Sequence, residues 1–192
     1  MKNNLFARNR SQEEAIRDMD SFVLKMRVED ERNLRIAKGM FAVYFVGIFV
    51  YAAIYFVNIF GDFNTLERIT GACYVAAFIL FAFIFHKQKK DLVAVSYALP
   101  VVEMLRMAEK RYQFWRPELW YALAGIVIVD IGSSINVCQH IEGDMTWLHK
   151  MLSVHAVLIP IWVVAFMVGV WKYRRRFLPI YRFAKDALAE VD

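Results

Sequence analysis

Four long apolar stretches organise this 192-residue chain, at 39–60, 69–85, 119–137 and 154–171, and Asp130 is the only Asp, Glu, Lys or Arg inside any of them. Written as helices at 1.5 Å per residue they would rise roughly 33, 25, 28 and 27 Å. A hydrocarbon core of about 30 Å accepts all four, the second with help from snorkelling Arg68 and Lys87 at its ends. The remaining composition agrees: 59% of residues are hydrophobic, and they come in blocks instead of an amphipathic 3.6-residue pattern. The predicted fold class is an all-α membrane protein with four transmembrane helices and amphipathic cytoplasmic helices. Its four spans are expected to close into one compact bundle.

The basic residues fall on one side of these spans. Lys plus Arg number 9 in 1–38, 7 in 86–118 and 6 in 172–192, but only 1 in 61–68 and 1 in 138–153. Short loops rich in Lys and Arg stay in the cytoplasm, so both termini and the middle loop are expected there. This predicts a multi-pass protein of the inner (plasma) membrane. The acidic residues Glu13, Glu14, Asp18 and Asp20 do not suit a signal peptide, so the first span is expected to act as the insertion signal, without cleavage. The net charge of +5 comes from clusters flanking the spans, such as Lys172 and Arg174 to Arg176. Cations there meet anionic headgroups, which argues for the lipid bilayer as partner and against nucleic acid.

Three segments on the basic side read as amphipathic helices, giving a region 1–38, a transmembrane domain 39–173 with a helical loop 86–118, and a C-terminal helix 174–192. Ser11 and Glu14 have the spacing of a capping box, and Ile16, Met19, Val23 and Met26 follow as an apolar stripe that the acidic run Glu29 to Glu31 ends. Pro100 suits a helix start, with Val101, Leu105, Ala108, Tyr112 and Trp115 on one face. Pro179 opens the last helix, with Ile180, Phe183, Ala184, Ala187 and Leu188 apolar. Such faces need covering, either by one another, by the headgroup layer or by a partner. A soluble cytoplasmic regulatory protein is the partner considered, with Ile16, Met19, Val23, Met26, Val101, Leu105 and Tyr112 as its docking face.

Asp130 is the residue that most invites a functional reading. A carboxyl at that depth costs several kcal/mol on insertion scales unless it is neutral or paired, so it should face the protein interior. Ser133 and Ser134 follow at i+3 and i+4. Depth arithmetic places Asp130 roughly 12 Å from the outer end of its span, level with Tyr51 of the first span and Pro160 to Trp162 of the fourth. The predicted intramembrane polar site is therefore Asp130, Ser133, Ser134, Tyr51 and Trp162. It serves either as a clip between helices or as a proton or ion site in an oligomeric transporter or channel subunit.

The outer loop holds ligand-type residues (Cys138, His140, Glu142, Asp144, His149) with His155 beyond, but loop spacing alone fixes no coordination geometry, and neither metal nor cofactor is expected. Cys73 and Cys138 differ in depth by several ångströms, so two free thiols are expected. Gly125 and Gly132, and the pair Ala72 and Ala76, are expected to allow close helix approach. No H-E-x-x-H, G-x-S-x-G, Walker or dinucleotide-binding pattern occurs, so no enzyme is expected.

The layout, with Val102-Glu103-Met104-Leu105-Arg106-Met107-Ala108-Glu109-Lys110-Arg111-Tyr112 before the third span and Ala184-Lys185-Asp186-Ala187-Leu188-Ala189-Glu190 at the end, resembles a group of small four-span bacterial inner-membrane proteins often encoded beside extracytoplasmic-function sigma factors. The resemblance implies location and regulatory company. The functional expectation is an integral membrane regulatory or scaffold protein whose cytoplasmic helices hold a soluble partner or each other, with a homo-oligomer left open.

Overall fold

A computed structural model describes residues 2–57, 63–97, 99–141 and 145–190, with side chains from Met19 onward. Among the described residues the chain is all-helical: α1 (Lys2–Phe56), α2 (Thr65–Val93), α3 (Val101–Tyr112), α4 (Pro117–His140), α5 (Trp147–Lys172) and α6 (Leu178–Ala189), with a π turn at Tyr173–Phe177 joining the last two. Helices α1, α2, α4 and α5 are long and apolar enough to cross a membrane.

The first span is not preceded by a separate helix. α1 runs unbroken for 55 residues, straight through Ser11 and the acidic run Glu29 to Glu31, and ends at Phe56. Nothing between Ser11 and Gly39 obliges a helix to stop: there is no proline, and Glu, Lys, Arg, Met and Leu all propagate helix well. The capping box belongs instead to α2. Asn64 Oδ1 accepts from the Glu67 amide at 2.9 Å, and Glu67 Oε2 accepts from the Asn64 amide at 2.7 Å. Two orphan donors at the helix start are thereby satisfied reciprocally.

The four spans do not close into a square bundle. They stand in a row in which α1 packs on α2, α2 on α4, and α4 on α5. Hydrophobic burial gives no drive to close the row, because lipid tails are as apolar as the helices; close packing decides which faces meet. Glycines let α2 and α4 approach closely. Gly125 and Gly132 are buried there, and a Cβ built on them would come within 2.7 Å of the Phe81 ring and 2.9 Å of Cys73 Cβ. Gly71 does the same for α1, where a Cβ would collide with Tyr55. Ala72 and Ala76 are exposed and take no part, the small-residue role on α2 falling to Gly71 and Ala77. The α1–α2 seam is aromatic, with Tyr44 stacked on Phe81 and Phe85 at 5.1 and 5.7 Å between centroids. Cys73 and Cys138 are free thiols.

At the basic end the helices outside the spans cover one another. Phe22 and Met26 of α1, Met104, Leu105, Ala108 and Tyr112 of α3, and Ile180, Ala184 and Leu188 of α6 form one buried cluster. Phe22 stacks on Phe183 at 4.4 Å. The face of α3 holds Leu105, Ala108 and Tyr112 as the sequence reading has it, but it adds Met104, whereas Val101 and Trp115 are exposed at 48% and 61%. Of the expected docking face, Met26, Leu105 and Tyr112 are therefore occupied by the chain itself, with Met19 and Val23 packed against them. The Ile16 side chain lies outside the described residues.

Candidate functional site

Two polar nodes interrupt the apolar interior, one between spans and one at the basic end. The first is centred on Asp130 of α4. Its Oδ2 lies 3.1 Å from His155 Nε2, and its Oδ1 is approached by the Trp162 indole N–H at 3.4 Å. The opposite imidazole nitrogen, Nδ1, is 2.9 Å from the carbonyl of Met151. A carbonyl only accepts, so Nδ1 carries a hydrogen. A single proton then occupies the Nε2–Oδ2 contact. On oxygen it makes two neutral groups, and on nitrogen it makes an imidazolium–carboxylate pair. Both arrangements are net neutral, which lowers the cost of holding a carboxyl between spans.

Trp162 joins Asp130 as the depth arithmetic predicts, but Tyr51 does not. Its ring packs on Tyr55, Tyr74 and Phe78, because α2 stands between α1 and α4 in the row. The two serines diverge. Ser133 meets the Tyr74 hydroxyl at 3.2 Å, while Ser134, 4% exposed, has no partner for its hydroxyl. Ser134 lines a cavity of about 120 Å³ together with Asp130, Trp147, Met151 and His155. Trp147 and Met151 belong to the first turns of α5, so the cavity lies toward the short-loop end. His155 was legible only as a loop-flanking ligand type; about two turns of α5 carry it over Asp130 instead. No group of three or more His, Cys, Asp or Glu side chains suited to a metal occurs among the described residues, and Glu142 and Asp144 lie outside them.

The second node escaped the sequence reading. Asp30, 4% exposed, accepts hydrogen bonds from Tyr112 at 2.6 Å, Tyr97 at 2.9 Å and Arg111 Nη1 at 2.5 Å. It therefore ties α1 to α3 and to the segment before α3. Burial, then the neighbouring carboxylate, push the phenol pKa values of both tyrosines well above the ordinary value, for Tyr97 and Tyr112 alike. The signal was present: Phe22, Met26 and Asp30 stand four residues apart, so the aspartate continues the apolar stripe instead of ending it.

Beside this node the chain forms a cavity of about 200 Å³ where the basic ends of the spans converge, with Asn33, Gln88, Asp91, Arg111 and Arg116 among its walls. Arg116 Nη1 donates to the Arg111 carbonyl at 3.0 Å, and its Nε faces Glu118 at 3.3 Å. Lys87 Nζ lies 2.9 Å from the other Glu118 oxygen, which links α2 to α4.

The fold and these nodes define a class, an α-helical membrane protein with four apolar helices long enough to span and a helical cluster at one end. No protein-family model, curated protein or solved structure matches the chain. Its function is therefore read from its geometry.

Proposed function

We propose that this chain is a regulatory scaffold of the inner membrane, with both termini in the cytoplasm, which presents a prebuilt helical cluster to a soluble partner. The carrying observation is the way the cluster is joined to the spans. α1 enters it as one uninterrupted helix, and α5 enters it through the π turn without a loop. Position and orientation of the cluster are thus coupled to the membrane by helix, which is what a scaffold or signal-transmitting anchor requires. The uneven distribution of Lys and Arg supports the orientation.

The partner face is the part the cluster leaves open. Leu24 and Val28 of α1, exposed at 63% and 56%, line a groove of about 480 Å³ with Pro179 and Ile180, under a rim where Lys25, Arg175 and Arg176 outweigh the one carboxylate, Glu29. Apolar contacts under a basic rim fit an acidic amphipathic helix. Photo-crosslinking residues placed at Leu24 and Val28 in living cells should trap the same partner, and Leu24→Glu with Val28→Glu should abolish the adduct. The buried position Met26 is the negative control. An adduct at all three positions, or at none, would sink the proposal.

The shared proton of Asp130 and His155 favours a second reading, in which the chain is a proton-coupled subunit of an oligomeric transporter. Proton flux in reconstituted vesicles, lost with Asp130→Asn, would support that reading over scaffolding.

A further inference from the structure

The polar cavity at the basic end adjoins the apolar surface between α4 and α5. Those two helices diverge there and leave a groove of about 600 Å³ walled by groups such as Leu123, Ile126, Val163, Phe166 and Gly169. Phe114 lines both the cavity and the groove, and its ring meets that of Tyr173, another cavity wall, at 4.8 Å. Tyr173 stands one helical turn beyond Gly169. The two spaces are therefore neighbours that share the Phe114 wall.

Their depths match the two halves of a lipid. Arg116 stands three residues before the apolar run of α4 and Tyr173 two residues after that of α5, so the polar compartment sits where hydrocarbon gives way to headgroups. From there the groove extends from Leu119 to Ile126 on α4 and from Val170 to Ile159 on α5. At 1.5 Å per residue that is about 10 to 16 Å, comparable with one leaflet of a core about 30 Å thick.

The charges select the headgroup. Arg111 is matched by Asp30, and Arg116 shares Glu118 with Lys87. Each guanidinium retains N–H groups beyond those used in these contacts, and planar guanidinium donors suit phosphate oxygens. Asp91 adds a carboxylate to the same wall. It disfavours a headgroup with only negative charge and offers an acceptor to an ammonium. We infer that the cavity and groove together bind one phospholipid of the ethanolamine type, with its phosphodiester at Arg116 and Arg111, its ammonium at Asp91, and an acyl chain between α4 and α5.

Gly169 supplies a clean test, because a Cβ built there meets nothing within 4 Å. Gly169→Leu should fill the groove without disturbing the helix. Gly39, equally open but at the start of the first span, gives the control Gly39→Leu. The full chain is extracted from membranes containing both ethanolamine and glycerol phospholipids, washed in detergent, and its retained lipid quantified by mass spectrometry. The parent and Gly39→Leu should retain the ethanolamine lipid in excess of its share in the membrane. Gly169→Leu should lose it, and Arg116→Gln, which removes charge-assisted donors, should lower retention about tenfold. Helical circular dichroism and elution volume verify that each variant is folded. Retention by Gly169→Leu equal to the parent overturns the inference, as does enrichment of the glycerol lipid. So does full displacement by chain-free glycerophosphoethanolamine, which would identify a soluble ligand, or dissociation of a dimer by Gly169→Leu, which would assign the groove to a second copy.

Discussion

Replacing Asp30 with alanine should open the cluster at the basic end while leaving the spans in place. The size of the effect follows from what the carboxylate holds. Three donors converge on it at 2.5 to 2.9 Å. Without it the Tyr112 hydroxyl, on a residue only 4% exposed, is left unpaired at a cost of about 1–3 kcal/mol. Arg111 also loses its counter-ion. Breaking a buried pair from one side costs about 3–5 kcal/mol, and the 17% exposure of the Arg111 side chain argues for the lower part of that range. About 3 kcal/mol is a factor of roughly a hundred in the opening equilibrium. Amide hydrogen exchange in lipid nanodiscs reads this directly: protection in α3 should fall about a hundredfold, with α2 and α4 unchanged at their centres. The double variant Asp30→Leu with Arg111→Met, which removes both charges, should recover much of the loss. Protection in α3 within about threefold of the parent after Asp30→Ala would refute the reasoning, since so small a change is under 1 kcal/mol.

The raised pKa values of Tyr97 and Tyr112 predict a pH window. A folded-state pKa above the unfolded value gives stability that is complete below about pH 10 and is lost as pH rises through the folded value. Phenolate absorbance should therefore show two tyrosines ionising only as the cluster opens, and Tyr97→Phe with Tyr112→Phe should remove that late step. Gly125→Leu should overpack the α2–α4 seam against Phe81 and cost about 1–3 kcal/mol, seen as a lower thermal midpoint in detergent, whereas Gly169→Ala should not lower it. Asp130→Asn should leave His155 neutral with its proton on Nδ1, so any imidazolium signal in the parent's imidazole nitrogen spectrum should vanish in the variant; an imidazolium signal that persists there would separate His155 from Asp130.

The spans were legible because a membrane helix is written as one continuous apolar block, and length alone then decides. Their arrangement was not. Depth arithmetic finds residues at the same level, so it selected Trp162 correctly, but level says nothing about which helices are neighbours, and Tyr51 was assigned to Asp130 across the intervening α2. His155 shows the opposite failure: near a loop it read as solvent polarity, although helical geometry carries it over Asp130. The α3 face was legible at its centre, where Leu105, Ala108 and Tyr112 are buried, but Val101 and Trp115 at its ends are exposed and packing brings in Met104. Asp30 was missed for a chemical reason. An acidic residue after an apolar stripe is usually a boundary, and only the three donors contributed by residues 67 to 82 positions later make it core.

The π turn at Tyr173–Phe177 has a consequence for how the chain tolerates length changes. Pro179 has no N–H to offer the Arg175 carbonyl, and the Leu178 amide reaches back five residues to the Tyr173 carbonyl instead. One residue more than an α-turn is thereby stored in the coil of the backbone. A one-residue deletion among Arg174, Arg175 and Arg176 can be absorbed by relaxing that slack, leaving Ile180, Ala184 and Leu188 aimed at α1 and α3. The same deletion higher in α5 would swing the whole C-terminal stripe by about 100° and strip the cluster of one of its three walls.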